Sequence, residues 1–250
     1  MSWYGGYGYG SYGGFYRQPT VAELKQKARV SAAQLEKRGR TLSPVLVEGR
    51  TIARTWWGKA WVSNLERYAD FSNRVGRGKR YVRAGCVIDL RVRGSRIDAV
   101  VQGSRKKPYE VSVYIEPMEE EAFVALLERC SARADSLEAL VAGDFPQEMK
   151  DQLTAGREGI FPAPAQIRFD CSCPDSAHMC KHIAAAIMAV APQLDANPLL
   201  LFELRGISTQ DLIKRSVEQK LDLMLANADA PSPRILDVSD DELTRLFGVL

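Results

Sequence analysis

Apolar residues recur at helical spacing from Leu24 through Ala28, Ala32 and Leu35, which predicts an amphipathic helix with one buried face. Thr20 and Glu23 form a capping box ahead of it, and Gly39 stops it. Short extended pieces are expected at 45–47 and 51–53. A second helix should begin near Thr55, where Trp57, Trp61, Leu65 and Tyr68 form a stripe that reads as core. From residue 86 to 116 the period shortens to that of strands. Residues 86–92, 97–102 and 109–115 predict a three-strand antiparallel meander with turns at Gly94 and at 103–108. Helical spacing returns at 119–130 and 136–141, and Asp144 with Pro146 marks another helix start. Further helices are expected near 181–190, 198–204 and 209–225. The last begins after the Pro231–Pro233 break, capped by Ser239 and Glu242.

The fold class expected from this order is α+β: a small antiparallel sheet with helices, then a mainly helical region. Five segments follow from composition. Residues 1–19 are a Gly/Tyr-rich tail with no possible buried face, expected to be disordered. Its Tyr4, Tyr7, Tyr9, Tyr12 and Tyr16 are either a tolerated tail or a set of rings that stack on exposed bases. Residues 20–155 form an α+β domain and 156–165 a Gly/Pro-rich linker. Residues 166–230 form a second, metal-stapled domain, and 231–250 a C-terminal amphipathic helix striped by Leu243, Leu246, Phe247 and Leu250.

The 250 residues are 46% apolar and 26% charged, ordinary for a globular protein. No run approaches the roughly 18 apolar residues of a membrane span, and the N-terminus carries no secretory pattern. A cytoplasmic location is expected. The net charge of +3 is mild, but its distribution is uneven. Arg74, Arg77, Lys79, Arg80, Arg83, Arg91, Arg93, Arg96, Arg105, Lys106 and Lys107 lie close together in the chain, opposed there only by Asp89 and Asp98. Lysines and arginines so concentrated can pair with phosphates. Arg74, Arg77, Lys79, Arg80, Arg83, Arg105, Lys106 and Lys107 are the candidate nucleic-acid contacts, against the plainer reading of a solvated basic face.

The segment from Cys171 to His182 carries the most chemistry. It reads Cys171-Ser-Cys173-Pro-Asp-Ser-Ala-His-Met-Cys180-Lys-His182. Three of the five cysteines fall within ten residues, which in a chain without an export pattern suggests metal ligation more than disulfides. A Cys-x-Cys pair leaving a strand can aim both sulfurs at one ion where Pro174 turns the chain. A Cys-x-His pair at a helix start supplies the other corners of a Zn2+ tetrahedron. His178 is the rival fourth ligand, disfavoured by its place in the loop. Four protein ligands leave no open position, so a structural rather than catalytic metal is expected.

Cys-x-Cys, six residues, then Cys-x-His resembles the SWIM zinc finger, with each ligand at a matching position. The flanks are similar to one bacterial SWIM family: Thr55-Trp-Trp-Gly-Lys-Ala-Trp61, then Gln102-Gly-Ser-Arg105 with Pro108-Tyr109, then the helix after His182. The likeness runs from about residue 51 to the end of the chain. It implies zinc binding and interaction with nucleic acid or protein. It further implies a companion of Swi/Snf-type helicase-like ATPases, with a nucleoid-associated location following from DNA. No nucleophile elbow or Walker-type phosphate loop occurs, and no enzymatic activity is expected. The combined expectation is a DNA-directed (rather than RNA-directed) accessory protein, with a protein adaptor that makes no nucleic-acid contact as the alternative.

Overall fold

The computed structural model describes residues 19–49, 51–66, 72–130, 139, 142–143, 145–156, 158–175 and 178–226. The Gly/Tyr tail up to Gln18, most of the helix expected at 136–141, the Asp144 cap, Tyr68 and the C-terminal helix lie outside them.

Helix α1 (Val21–Lys37) forms where the Leu24 periodicity placed it. The Thr20 hydroxyl accepts from the Glu23 N–H at 3.2 Å and the Glu23 carboxylate accepts from the Thr20 N–H at 2.6 Å, closing the capping box. Helix α2 (Trp56–Glu66) opens on Thr55, whose hydroxyl accepts from the Gly58 N–H. Helix α3 (Ser72–Arg83) was assigned to no element by the sequence pattern. Two glycines and five basic residues dilute its apolar signal, and only Val75, Tyr81 and Val82 bury large side chains.

The sheet is antiparallel throughout, in the order β1 (Val87–Arg93), β2 (Arg96–Val101), β3 (Tyr109–Ile115), β4 (Ile167–Cys171). The meander is therefore joined by a fourth strand drawn from beyond the Gly/Pro-rich segment. Its register, Val111 opposite Cys171 and Ile115 opposite Ile167, delivers the first cysteine of the metal motif to the end of the sheet. This is an α+β fold. Alternation along β3 buries Tyr109, Val111, Val113 and Ile115 on one face and leaves Glu110 and Tyr114 exposed. On the other face, Ala28 of α1 meets Ile88 and Val100, so α1 covers β1 and β2.

Helix α4 (Glu120–Cys130) follows the sheet, and a single 3-10 turn leads into α5 (Lys150–Leu153). Then come α6 (Lys181–Met188), α7 (Ala191–Ala196), α8 (Leu200–Leu204) and α9 (Thr209–Ala226). Every residue of α6 after Lys181 is buried, because α3 lies along one side of it and the sheet along the other. Gly78 makes the α3 contact possible. A Cβ there would stand 2.7 Å from the Cβ of Ala184. Tryptophans clamp the other end. The indole N–H of Trp61 donates to the Ile187 carbonyl at 2.8 Å, and that of Trp57 to the Leu194 carbonyl at 2.9 Å. Asp195 accepts from the Arg54 and Thr55 N–H groups and from the Thr55 hydroxyl, tying α7 to the start of α2. Among the described residues, no helix is long and apolar enough to cross a membrane.

Candidate metal centre

Strand β4 ends on Cys171, and the chain turns through Cys173 and Pro174 into a loop that returns as Cys180, the N-cap residue of α6. His182 follows in the first turn. The three sulfurs and one His182 ring nitrogen all lie within 4.8 Å of one another. His182 Nδ1 is 3.9 Å from Cys171 Sγ and 3.8 Å from Cys180 Sγ. A tetrahedral zinc with its usual bond lengths needs donor separations of about 3.5–3.8 Å. The four donors lie at or somewhat beyond those separations, and the residues fit a metal ion. Cys180 and His182 are buried, whereas Cys171 and Cys173 are half-buried.

The charges support the same conclusion. A hydrogen bond with Cys171, reinforced by His182, pulls the Cys180 thiol down to about 3. That contact, with burial behind it, pushes Cys171 up, and burial raises Cys173. One thiolate is well supported here, while a second and third beside it are opposed by repulsion and desolvation. A divalent cation at the centre of the donors removes that opposition. Cys86 and Cys130 behave differently. Both are buried in the core, and burial lifts them to about 12 and about 11, so they remain neutral apolar thiols.

The orientation of His182 comes from rings. Tyr109 stacks on it at 4.3 Å and 29°, and Tyr81 meets it edge-on at 5.6 Å. Gly103 leaves room for this arrangement. A Cβ there would sit 2.5 Å from the Tyr109 ring and 2.9 Å from His182 Nε2. Gln102 is buried and donates to the carbonyls of Gly103 and Arg105, which shapes the loop. The Gln-Gly-Ser-Arg segment singled out in the sequence is thus the wall behind the histidine. The Trp-rich segment holds the far end of the same helix. His178, the rival ligand, is exposed against Phe169 at 4.9 Å and stands outside the cluster.

The eight candidate nucleic-acid contacts sit in different local surroundings. Arg74 pairs with Asp175 in the metal loop at 3.1 Å, and Lys79 pairs with Glu66. Arg77 and Arg80 line a cavity beside α1, and Arg83 lines a second with Lys25 and Arg29. Lys106 and Lys107 line a third with Arg38 and Arg40. Arg105 is exposed in the loop that the Gln102 amide organises. Helix α1 therefore runs among hollows that each carry three or four basic side chains. Sequence reasoning passed over Lys25 and Arg29 on α1, and Arg38 and Arg40 just beyond its end.

The fold and site define an α+β protein with a Cys3His group that could hold a metal ion. No family model matches the chain, and no solved structure matches it. It is similar to a Mycobacterium tuberculosis (strain ATCC 25618 / H37Rv) protein described as "Uncharacterized protein Rv2102", at 32% identity over 183 residues. That alignment takes in 73% of this chain and 63% of the relative, so the chain spans less than two thirds of the relative's length.

Proposed function

We propose that this chain is a zinc-binding, SWIM-type interaction protein that binds nucleic acid, DNA in preference to RNA, as an accessory factor of a Swi/Snf-type helicase-like ATPase. The observation that carries the reading is the convergence of Cys171, Cys173, Cys180 and His182 into one group of four possible metal donors. Three thiolates and an imidazole suit zinc among the biological divalent ions. With every corner taken by protein, the metal acts as a staple and not as a catalyst, and the chain is not an enzyme. The basic hollows along α1 support the nucleic-acid half of the reading. A cytoplasmic, nucleoid-associated location belongs to the same proposal. Fluorescence anisotropy with labelled duplex DNA, single-stranded DNA and RNA tests it. Affinity should be highest for duplex DNA and fall steeply between about 50 and 200 mM salt. Binding to none of the three removes the nucleic-acid half.

A second reading, an adaptor that docks on another protein, has its own observation. Helix α9 exposes Ile213, Val217, Leu221, Met224 and Leu225, each more than 40% accessible, at helical spacing. The stripe at Leu243, Leu246, Phe247 and Leu250 lies outside the described residues. Val217→Glu with Leu221→Glu should abolish capture of the ATPase and leave DNA affinity intact if α9 is the docking face. Unchanged capture would end the adaptor role of this helix.

A further inference from the structure

Helix α3 does not treat its cations alike. Arg74 and Lys79 each meet a carboxylate, on Asp175 and Glu66. Arg77 has no hydrogen bond or ion pair among the described residues, and Arg80 donates to the uncharged carbonyl of Pro19. Both line the cavity between α1, α3 and the start of α6, where Lys181 joins them, also without a polar partner among the described residues. Leu24, Tyr81 and Ser104 complete most of its lining, and no acidic residue is part of it among the described residues. All three cations are half-buried. Like charges held together and partly desolvated repel one another at a cost to the fold, and the field they focus into a hollow attracts an anion. The cavity measures about 150 Å³. Ordinary small-molecule sites run to roughly 300–1,000 Å³, so this one suits a single compact group instead of a whole nucleotide. Arginine forks match the tetrahedral oxygens of a phosphate by paired hydrogen bonds.

We propose that this cavity is a phosphate-binding site in which Arg77, Arg80 and Lys181 hold one phosphate of a nucleic-acid backbone against the metal centre. The proposal rests on the nucleic-acid reading above and adds to it a seat, and a residue that charge runs did not suggest. It also ties the seat to the metal group. Lys181 lies between Cys180 and His182, and the Tyr81 wall of the cavity touches the His182 ring. Coordination fixes the backbone that presents the lysine.

The test uses the full zinc-loaded chain, with inorganic phosphate as one probe and a labelled DNA duplex as the other. Arg77→Gln, Lys181→Gln and the milder Arg77→Lys are compared with Arg96→Ala, a charge loss elsewhere, and each variant is checked for metal content and thermal melting. Phosphate should shift the side-chain NMR resonances of Arg77 and Arg80 and the amide of Lys181, and should compete with the duplex. Each Gln variant should weaken duplex binding roughly tenfold. The slope of log affinity against log salt should flatten by about one, whatever the sequence. Arg77→Lys should keep most of the binding and Arg96→Ala all of it. If the duplex binds but survives both Gln variants with affinity and slope unchanged, the cavity is not the seat, although the nucleic-acid reading stands. If no duplex binds, that reading fails and the phosphate titration decides alone. Shifts confined to Arg77, Arg80 and Lys181 uphold a phosphate site, and silence there overturns it.

Discussion

Two stretches that look equally basic in the sequence end up with opposite electrostatics. On β1 and β2, Arg91 and Arg96 are neutralised on the spot. Arg91 and Arg40 both reach the buried Asp89, at 3.3 and 3.2 Å, and Arg96 reaches Asp98 at 2.9 Å. Between α1, α3 and the start of α6, Arg77, Arg80 and Lys181 gather with no carboxylate among the described residues that line their cavity. The difference comes from chain geometry. A strand places residues i and i+2 on the same face, so Asp89 with Arg91 and Arg96 with Asp98 neutralise each other locally. The cavity collects its charges from elements about a hundred residues apart, and the nearby acids Asp175 and Glu66 are paired with Arg74 and Lys79 instead. A run of basic residues is therefore a poor guide to surface potential until the fold says which cations keep their charge unanswered.

The largest way to break this contrast is through the metal ligands. His182→Ala should release the metal and lower stability by several kcal/mol, below the roughly 10–16 kcal/mol of small zinc-finger peptides because this chain buries a core of its own. In a thermal melt that is a drop of about 10 °C or more. Duplex affinity should fall with it, since Lys181 loses its support. Gly78→Ala comes next. Helix propensity favours the alanine by about 1 kcal/mol, but the new methyl meets Ala184 at 2.7 Å. Overpacking of this kind costs about 1–3 kcal/mol, so a net loss of up to about 2 kcal/mol should appear in urea unfolding. Tyr109→Leu removes a ring stack worth about 1 kcal/mol and the support of His182. Its clearer readout is metal affinity, expected to fall about 10-fold or more in a chelator competition. Arg96→Ala is the smallest change. An exposed pair contributes under about 1 kcal/mol, and neither melting nor duplex affinity should move measurably. A large loss of DNA binding there would shift the interface onto the sheet and erase the contrast.

What the sequence made legible is what is local. The four candidate ligands span twelve residues, and strand, turn and helix start all fall within that window, so chemistry and geometry could be read together. The capping box of α1 and the meander are legible for the same reason. Helix α3 escaped because Val75, Tyr81 and Val82 give too thin an apolar stripe, and Gly78 has a role only once α6 lies against it. The fourth strand was implied by the Cys-x-Cys exit, but its place beside β3 depends on a pairing across more than fifty residues. Tyr81, Tyr109 and Gly103 around His182, and Asp195 at the head of α2, are tertiary in the same sense. Their residue types offer no signal beyond aromatic, small or acidic. The charged cavity is the extreme case, since pairing, not composition, decides it.

The central claim is that one metal ion, held by Cys171, Cys173, Cys180 and His182, organises the end of the sheet and the start of α6. X-ray absorption at the zinc edge on protein purified without added metal tests it most directly. The account predicts one zinc per chain, with three sulfurs near 2.3 Å and one nitrogen near 2.0 Å. A well-folded chain that carries no metal, or a metal shell dominated by oxygen, would contradict it.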